Sequence, residues 1–387
     1  MKILYIAHNG LIQGSGFALL NIIKGMQSKG VDILVMIPYK GILSDKLEEL
    51  GVRYYVSPLY NAVYPPLSNV RDAIRFIPLL LRTLWCNYKS ANLLKKIIRK
   101  ESPDIVHSNT GVIHLGFRIA QKLGIPHVWH LREFQNLDFG WSPIGGMANF
   151  KNKLLLDGNY NIAITQSVFS HYDLHNTNSK IIYDGVFSAG LKQNQVCPKN
   201  KYLLFVGSIL KGKGPQVAID AFMQIASQYS DYELWLVGDN LSDFAVYLQR
   251  RVLNSPYAKQ IKFLGFRHDI AALMKSATAL LVCSESEGFG FITVEAMYNH
   301  CLVVGHNTAG TKEQFDNGLL RHGSEIGLRY ETSQDLVQVL SDVLHKGVDY
   351  YEPIISRAYE TVCNLYTVEH NSEAVYQFYL DILRDEK

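Results

Sequence analysis

Short apolar runs alternate with helical periods along almost the whole chain, and the alternation restarts near its middle. Parallel strands need crossover connections, usually helices, so this pattern belongs to α/β sheets covered on both faces. In the first half, strands are expected near 2–7, 31–37, 53–57, 104–108, 126–130, 161–164 and 180–183, with helices notably at 16–29, 70–100 and 112–123. Residues 188–200 interrupt the series. They are polar, hold Pro198 and lack periodicity, which marks a linker. Strands then recur near 202–206, 233–237, 260–264, 278–283, 301–304 and 327–330, between helices near 214–229, 243–254, 268–276 and 291–299. Roughly 333–386 reads as helical throughout. At 387 residues the chain exceeds one ordinary core, so two α/β domains with Rossmann-like parallel sheets are expected.

Composition narrows the function. Hydrophobic residues make up 48% and charged residues 19%, the balance of a globular chain with large buried sheets. A net charge of +3 gives no argument for a nucleic-acid partner. Cys86, Cys197, Cys283, Cys301 and Cys363 are odd in number, scattered and without a C-x-x-C pair, which argues for reduced thiols and against zinc. The opening MKILYIAHNG has too short an apolar run for a signal peptide, and no run of about 18 apolar residues follows. A cytoplasmic location is the expectation.

Residues 283–313, CSESEGFGFITVEAMYNHCLVVGHNTAGTKE, carry the most chemistry. They read as strand, glycine loop, helix, strand, and a turn at Thr308-Ala309-Gly310-Thr311. A glycine loop feeding a helix start turns backbone N–H groups outward, where the helix dipole favours an anion. Glu287 falls in that loop and Glu295 in the first turns of the helix. Ionised carboxylates only accept hydrogen bonds, so two acids beside an anion site suit a ligand that also carries hydroxyls. A nucleotide-sugar has both phosphates and hydroxyls.

With Ser284 before it, the Glu287-Gly288-Phe289-Gly290 core and the Glu295-Ala296-Met297 continuation, this stretch resembles the E-x7-E signature of the retaining glycosyltransferases of family 4. The resemblance implies the GT-B fold, in which two Rossmann-like domains face across a cleft and the last helix crosses back to the first domain. It places an acceptor domain at 1–187, a linker at 188–200, a donor domain at 201–366 and the crossing helix at 367–387. It implies that Glu287 positions the donor sugar hydroxyls and Glu295 the ribose. The family motif G-R-x-x-x-x-K-G is similar to Gly207–Gly214 here: Lys213 matches the phosphate-gripping lysine, whereas Ser208 stands where arginine is usual. Lys211 or Arg267 are candidate substitutes, and a solvated basic turn is the plainer alternative. Gly238 and Arg267 fall in loops where the family places the nucleobase, with turn glycines as the alternative.

In the first domain, His130 matches a family histidine near the transferred sugar, with Arg132 and Glu133 adding charge to the same loop. A structural histidine is the competing reading. His107 is a weaker candidate, and Asp184-Gly185 reads as a hinge turn. The glycine loop around Gly14 and Gly16 implies a face for the donor diphosphate and the acceptor. A plain turn and a dinucleotide site are the alternatives, the latter short of its third glycine at Leu19. No Asp-x-Asp occurs in the chain, so no metal or cofactor is expected, and the donor would be a UDP-sugar or GDP-sugar.

Residues 70–100 carry Arg71, Arg75, Arg82, Lys89, Lys95, Lys96, Arg99 and Lys100 against Asp72 alone, beside apolar Leu80, Leu84 and Trp85. Such a segment, with Pro78 expected to kink or start it, reads either as an anionic-membrane-surface helix or as a helix buried on one side. The function expected is transfer of a sugar to a saccharide or lipid-linked saccharide, in cell-surface polysaccharide synthesis. Rivals are a phosphorylase, an epimerase or a sugar-binding protein.

Overall fold

The structure is a computed structural model, and it describes residues 1–12, 14–66, 70–175, 177–190 and 197–385. Part of the expected linker, residues 191–196, lies outside the described residues, as does Gln13 of the first glycine loop. The chain divides into two compact units: residues 1–188 with 367–387, and residues 189–366.

In the first unit the strands are β1 (Lys2–Ile6), β2 (Asp32–Ile37), β3 (Arg53–Val56), β4 (Val63–Tyr64), β5 (Ile105–Ser108), β6 (His127–Leu131), β7 (Ser142–Pro143), β8 (Asn159–Ala163) and β9 (Ser179–Ile181). A seven-stranded parallel sheet has the order β3-β2-β1-β5-β6-β8-β9, and β4 pairs antiparallel with β7. The helices are α1 (Ser15–Gln27), α2 (Ile42–Glu49), α3 (Val70–Glu101), α4 (Leu115–Leu123), α5 (Asn136–Phe139), α6 (Met147–Leu154) and α7 (Gln166–His171). Strands such as β1 and β2 are apolar nearly throughout because helices cover both faces. Each fully buried Leu, Ile or Val contributes about 1.5–3 kcal/mol.

Helix α3 runs unbroken through Pro78 to Glu101, so the proline neither starts nor ends it. Its two ends differ in exposure. Leu94, Ile97 and Ile98 pack into the core with Val106 and Ile119. The earlier turns leave Ile74, Ile77, Leu81, Leu84, Trp85 and Tyr88 exposed, each at 50% or more. Leu80, expected among the exposed apolar residues, is half-buried instead. Lys89 lies over the Trp85 ring, 3.6 Å from its centroid. No helix among the described residues is long and apolar enough to cross a membrane.

The second unit holds β10 (Tyr202–Val206), β11 (Glu233–Val237), β12 (Ile261–Gly265), β13 (Ala279–Val282), β14 (Leu302–His306) and β15 (Leu328–Tyr330). Their parallel order is β12-β11-β10-β13-β14-β15. Helices α8 (Pro215–Ile225), α9 (Asp243–Leu253), α10 (Ile270–Ser276), α11 (Phe291–Tyr298), α12 (Ala309–His322), α13 (Ser333–Lys346) and α14 (Glu352–Leu365) cover it. The segment after β14, expected as a turn, opens the fourteen-residue α12.

The last helix, α15 (Val368–Asp385), belongs to the first unit. Val375, Phe378, Tyr379 and Ile382 join the core of Ile3, Tyr5, Leu19 and Ile23. The helix sits so close to α1 that a Cβ on Gly25 would stand 2.2 Å from the Cβ of Ser372. Tyr379 Oη donates to Tyr5 Oη at 3.1 Å and lies 2.7 Å from His107 Nδ1, tying α15 to the middle of the sheet. That bond gives the buried His107 a structural role.

Candidate functional site

In the second unit the carboxyl ends of β10, β11 and β12 share one bare backbone rim. Gly207 N–H donates to Val237 O at 2.9 Å, and Gly238 N–H donates to Gly265 O at 3.0 Å. A Cβ at Gly238 would lie 1.9 Å from Gly207 O, so only glycine allows this approach. Ligands of open α/β sheets sit at this end of the strands.

Beyond β10 the chain makes a short 3-10 turn, Lys211–Lys213, closed by Gly214 at φ 71°. That left-handed conformation favours glycine, and a Cβ there would stand 2.1 Å from Cys283 O. Gly212 O also accepts from Glu285 N–H at 3.1 Å. The lysine turn and the acidic loop, far apart in sequence, are thereby pressed together. Lys213 Nζ lies 2.7 Å from Glu287 Oε2, with the side chains 37% and 20% exposed. A pair this open to water contributes about 0–1 kcal/mol, so little opposes its opening. An incoming phosphate can take the ammonium and free the carboxylate for hydroxyls.

The glycine loop is held from below. Gly290 stands at φ 86° ahead of α11. The Phe289 ring is buried edge-on to Phe291 and Tyr366, so its side chain anchors the loop and leaves only its backbone for a ligand. Gln314 Nε2 donates to Phe289 O at 2.6 Å, and Gly310 N–H donates to Glu287 O at 2.9 Å. A Cβ on Gly310 would meet Phe289 O at 2.4 Å. These supports come from α12, which sequence reasoning missed. The glycine of Thr308-Ala309-Gly310-Thr311, read as a turn signal, is the close-packing point of a helix start. Glu295, on α11, has its carboxyl pushed up by burial to about 7. It therefore changes charge near neutral pH.

The cations do not all converge. Ser208 and Lys211 are exposed. Arg267 is exposed and forked onto Asp269, with Nε to Oδ1 at 2.8 Å and a terminal nitrogen to Oδ2 at 2.6 Å. Lys213 is the cation that touches the acidic loop.

In the first unit, Gly14 is exposed at φ 32°, and a Cβ on Gly16 would meet Leu11 O at 2.3 Å. His130 does not stand open at a strand end. Strand β6 continues to Leu131, and the ring is wholly buried beside His107, with centroids 5.4 Å apart. Burial, then the Arg132 charge, then His107 hold His130 well below the usual histidine range, so it is neutral. Its Nε2 lies 3.7 Å from Asp184 Oδ1.

Asp184, read as part of a hinge turn, is instead the buried ion-pair partner of Arg132. Arg132 Nε also donates to Asn109 O at 3.1 Å. Of the two residues expected to add charge to this loop, Arg132 is paired with Asp184, and burial and Asp138 push the Glu133 carboxyl up to about 8. Arg132 and Asp184 stand 52 residues apart, and no local pattern signals their contact.

Comparison with known proteins agrees with this layout. The family described as glycosyl transferases group 1 matches residues 190–361, and the glycosyl transferase 4-like domain matches residues 13–197. By its two domains and their fold the chain is similar to GT-B glycosyltransferases. It is 28% identical over 197 residues to N-acetyl-alpha-D-glucosaminyl L-malate synthase of Bacillus anthracis, covering 51% of this chain and 49% of that protein. It is 23% identical over 190 residues to the O-antigen chain mannosyltransferase RfbU of Salmonella typhimurium, covering 48% and 52%. The chain thus spans about half the length of these curated relatives. Among solved structures, Anabaena Alr3699/HepE in complex with UDP and glucose superposes with a TM-score of 0.75 at 22% identity, over 97% of this chain and 98% of that one. At that identity the likeness speaks to the fold.

Proposed function

We propose that the protein transfers a sugar from a UDP-sugar or GDP-sugar to a hydroxyl of a saccharide or lipid-linked saccharide, with retention of configuration and without a metal. The observation that carries the reading is the Lys213–Glu287 contact on the glycine rim of the second unit. Lys213, with backbone amides at the start of α11, takes the diphosphate. Glu287 turns to the donor sugar hydroxyls and Glu295 to the ribose. The Gly14 and Gly16 loop, and His130 as a neutral imidazole, belong to the acceptor unit.

The acceptor oxygen bonds to the anomeric carbon on the face the leaving group departs. The bond from that carbon to the diphosphate oxygen breaks, its electron pair stays on the phosphate, and that phosphate takes the acceptor's proton. Lys213 stabilises the charge formed there, and one preorganised donor of this kind contributes about 3 kcal/mol. No side-chain nucleophile is required. Work at a cell-surface polysaccharide, on the inner face of the membrane, is supported by the exposed apolar turns of α3 with Arg71, Arg75 and Arg82 beside them.

The test is turnover of a panel of UDP- and GDP-sugars, followed by NMR for the anomer formed. Release of sugar with the donor's configuration is expected, and no release from any donor refutes the reading. For the membrane, the protein should sediment with anionic and not neutral vesicles at low salt, and indifference to anionic vesicles would make α3 a scaffold helix.

A further inference from the structure

Two buried imidazoles in the first unit have hydrogen-bond partners of opposite kinds. His130 and Arg132 stand two apart where β6 ends, a spacing that sends both side chains to one face. A terminal guanidinium nitrogen of Arg132 lies 3.1 Å from His130 Nδ1. A guanidinium only donates and stays charged, so Nδ1 is the accepting, proton-free nitrogen of the ring. The neutral imidazole then carries its one proton on Nε2. The rest of the guanidinium is anchored elsewhere. Arg132 Nε donates to Asn109 O at 3.1 Å, and the other terminal nitrogen is paired with the buried Asp184. Arg132 cannot turn away from the ring without giving up a buried ion pair.

His107, with its ring centroid 5.4 Å away, is set the other way. Tyr379 Oη lies 2.7 Å from His107 Nδ1 and gives its single proton to Tyr5 Oη at 3.1 Å. It can therefore only accept from His107, whose proton is on Nδ1. The two rings are held in opposite tautomers, one by a strand-end arginine and one by the last helix. His130 Nε2 is the atom left over. It is buried and has no hydrogen-bond partner among the described residues, and Asp184 Oδ1, at 3.7 Å, is beyond reach. An unused buried donor is costly.

We infer that Arg132 is a positioning residue for transfer: it fixes His130 as the Nε2–H tautomer, so that the ring offers a hydrogen-bond donor and does not act as the base. Nε2 already holds a proton, and a proton on Nδ1 would face a guanidinium N–H. Neither nitrogen is free to take the acceptor's proton. The leaving phosphate is left to receive it, as in the reaction proposed above. What His130 brings to transfer is one hydrogen bond, from Nε2–H to a substrate oxygen. The inference deepens the glycosyltransferase reading and rests on it.

The test is long-range proton–nitrogen NMR of the full chain with labelled histidine, His130→Gln and His107→Gln assigning two of the 13 rings. His130 should show a protonated Nε2 and a bare Nδ1, and His107 the reverse. Both patterns should hold from about pH 5.5 to 8.5, a window that brackets the ordinary histidine value. The charged and titratable groups around the two rings are Arg132, Asp184, His127, Tyr5 and Tyr379, with His8 near Arg132. A proton on Nδ1 of His130, or a titration within that window, overturns the inference. The double variant Arg132→Met, Asp184→Leu leaves no buried charge behind, and in it His130 should mix tautomers or titrate. A His130 spectrum identical to wild type would show that Arg132 does not fix the ring. The wild-type spectrum decides the tautomer if that variant fails to fold. At saturating donor, kcat separates donation from base action. The amide nitrogen of Gln reaches near the place of Nε2 and that of Asn does not, so His130→Gln should retain at least about tenfold more kcat than His130→Asn, the worth of one hydrogen bond. Equal loss in the two overturns the donor role. No transfer by wild type from any nucleotide-sugar would instead sink the underlying reading, while the spectrum still decides the tautomer.

Discussion

Replacing Asp184 by Asn should cost the first unit about 3–5 kcal/mol, because it strands the Arg132 guanidinium. The side chains of Arg132 and Asp184 are 4% and 0% exposed, so water cannot take the carboxylate's place. Arg132 would keep its bond to Asn109 O but lose its countercharge beside two neutral histidines, His107 and His130. For a unit of about 200 residues, 1 kcal/mol moves Tm by roughly 2–4 °C, so a fall of roughly 6–20 °C is expected. Urea unfolding followed by far-ultraviolet circular dichroism measures the same loss as a lower midpoint at constant slope. The double variant Arg132→Met, Asp184→Leu should recover most of it, since a packed apolar pair avoids desolvating two charges. A loss under about 1 kcal/mol in Asp184→Asn would show that the pair is not the keystone of the β6 end.

The second unit is open to three further tests. Lys213→Ala and Glu287→Ala should each lower transfer at least about tenfold, some 1.4 kcal/mol of barrier, with unchanged melting; normal turnover in either would remove the role given to it. Because burial raises the Glu295 carboxyl to about 7, protonation below that pH removes the charge that strengthens its acceptance from ribose hydroxyls, so nucleotide affinity should fall by up to about tenfold per pH unit below 7 and level off above it. Glu295→Gln should flatten that profile, and an unchanged slope would refute the assignment. Transfer should survive a chelator, whereas complete loss restored by magnesium or manganese would contradict metal independence.

Two parallel-sheet units were legible because strand and helix periods differ and because apolar strands such as Leu203 to Val206 need covering on both faces. What escaped was long-range. The start of α12 looked like a turn because Ala309-Gly310 is a poor helix opening, and its glycine makes sense only with Phe289 O packed against it. The Arg132–Asp184 pairing leaves no local pattern because the two residues are remote in sequence. The split of α3 into a buried half and an exposed half comes from what each half faces, which its continuous basic pattern does not record. Lys213 and Glu287 each stood out by motif, yet their contact arises from Gly214 lying on Cys283.

The Lys213–Glu287 rim of the second unit is proposed to bind the nucleotide-sugar. Isothermal titration of the full chain with UDP-glucose, other UDP-sugars and GDP-mannose tests it directly, with Lys213→Ala alongside. One donor should bind per chain, at least tenfold more weakly in the variant. Heat-silent titrations with no stabilisation by any of these donors, or equal affinity in Lys213→Ala, would contradict it.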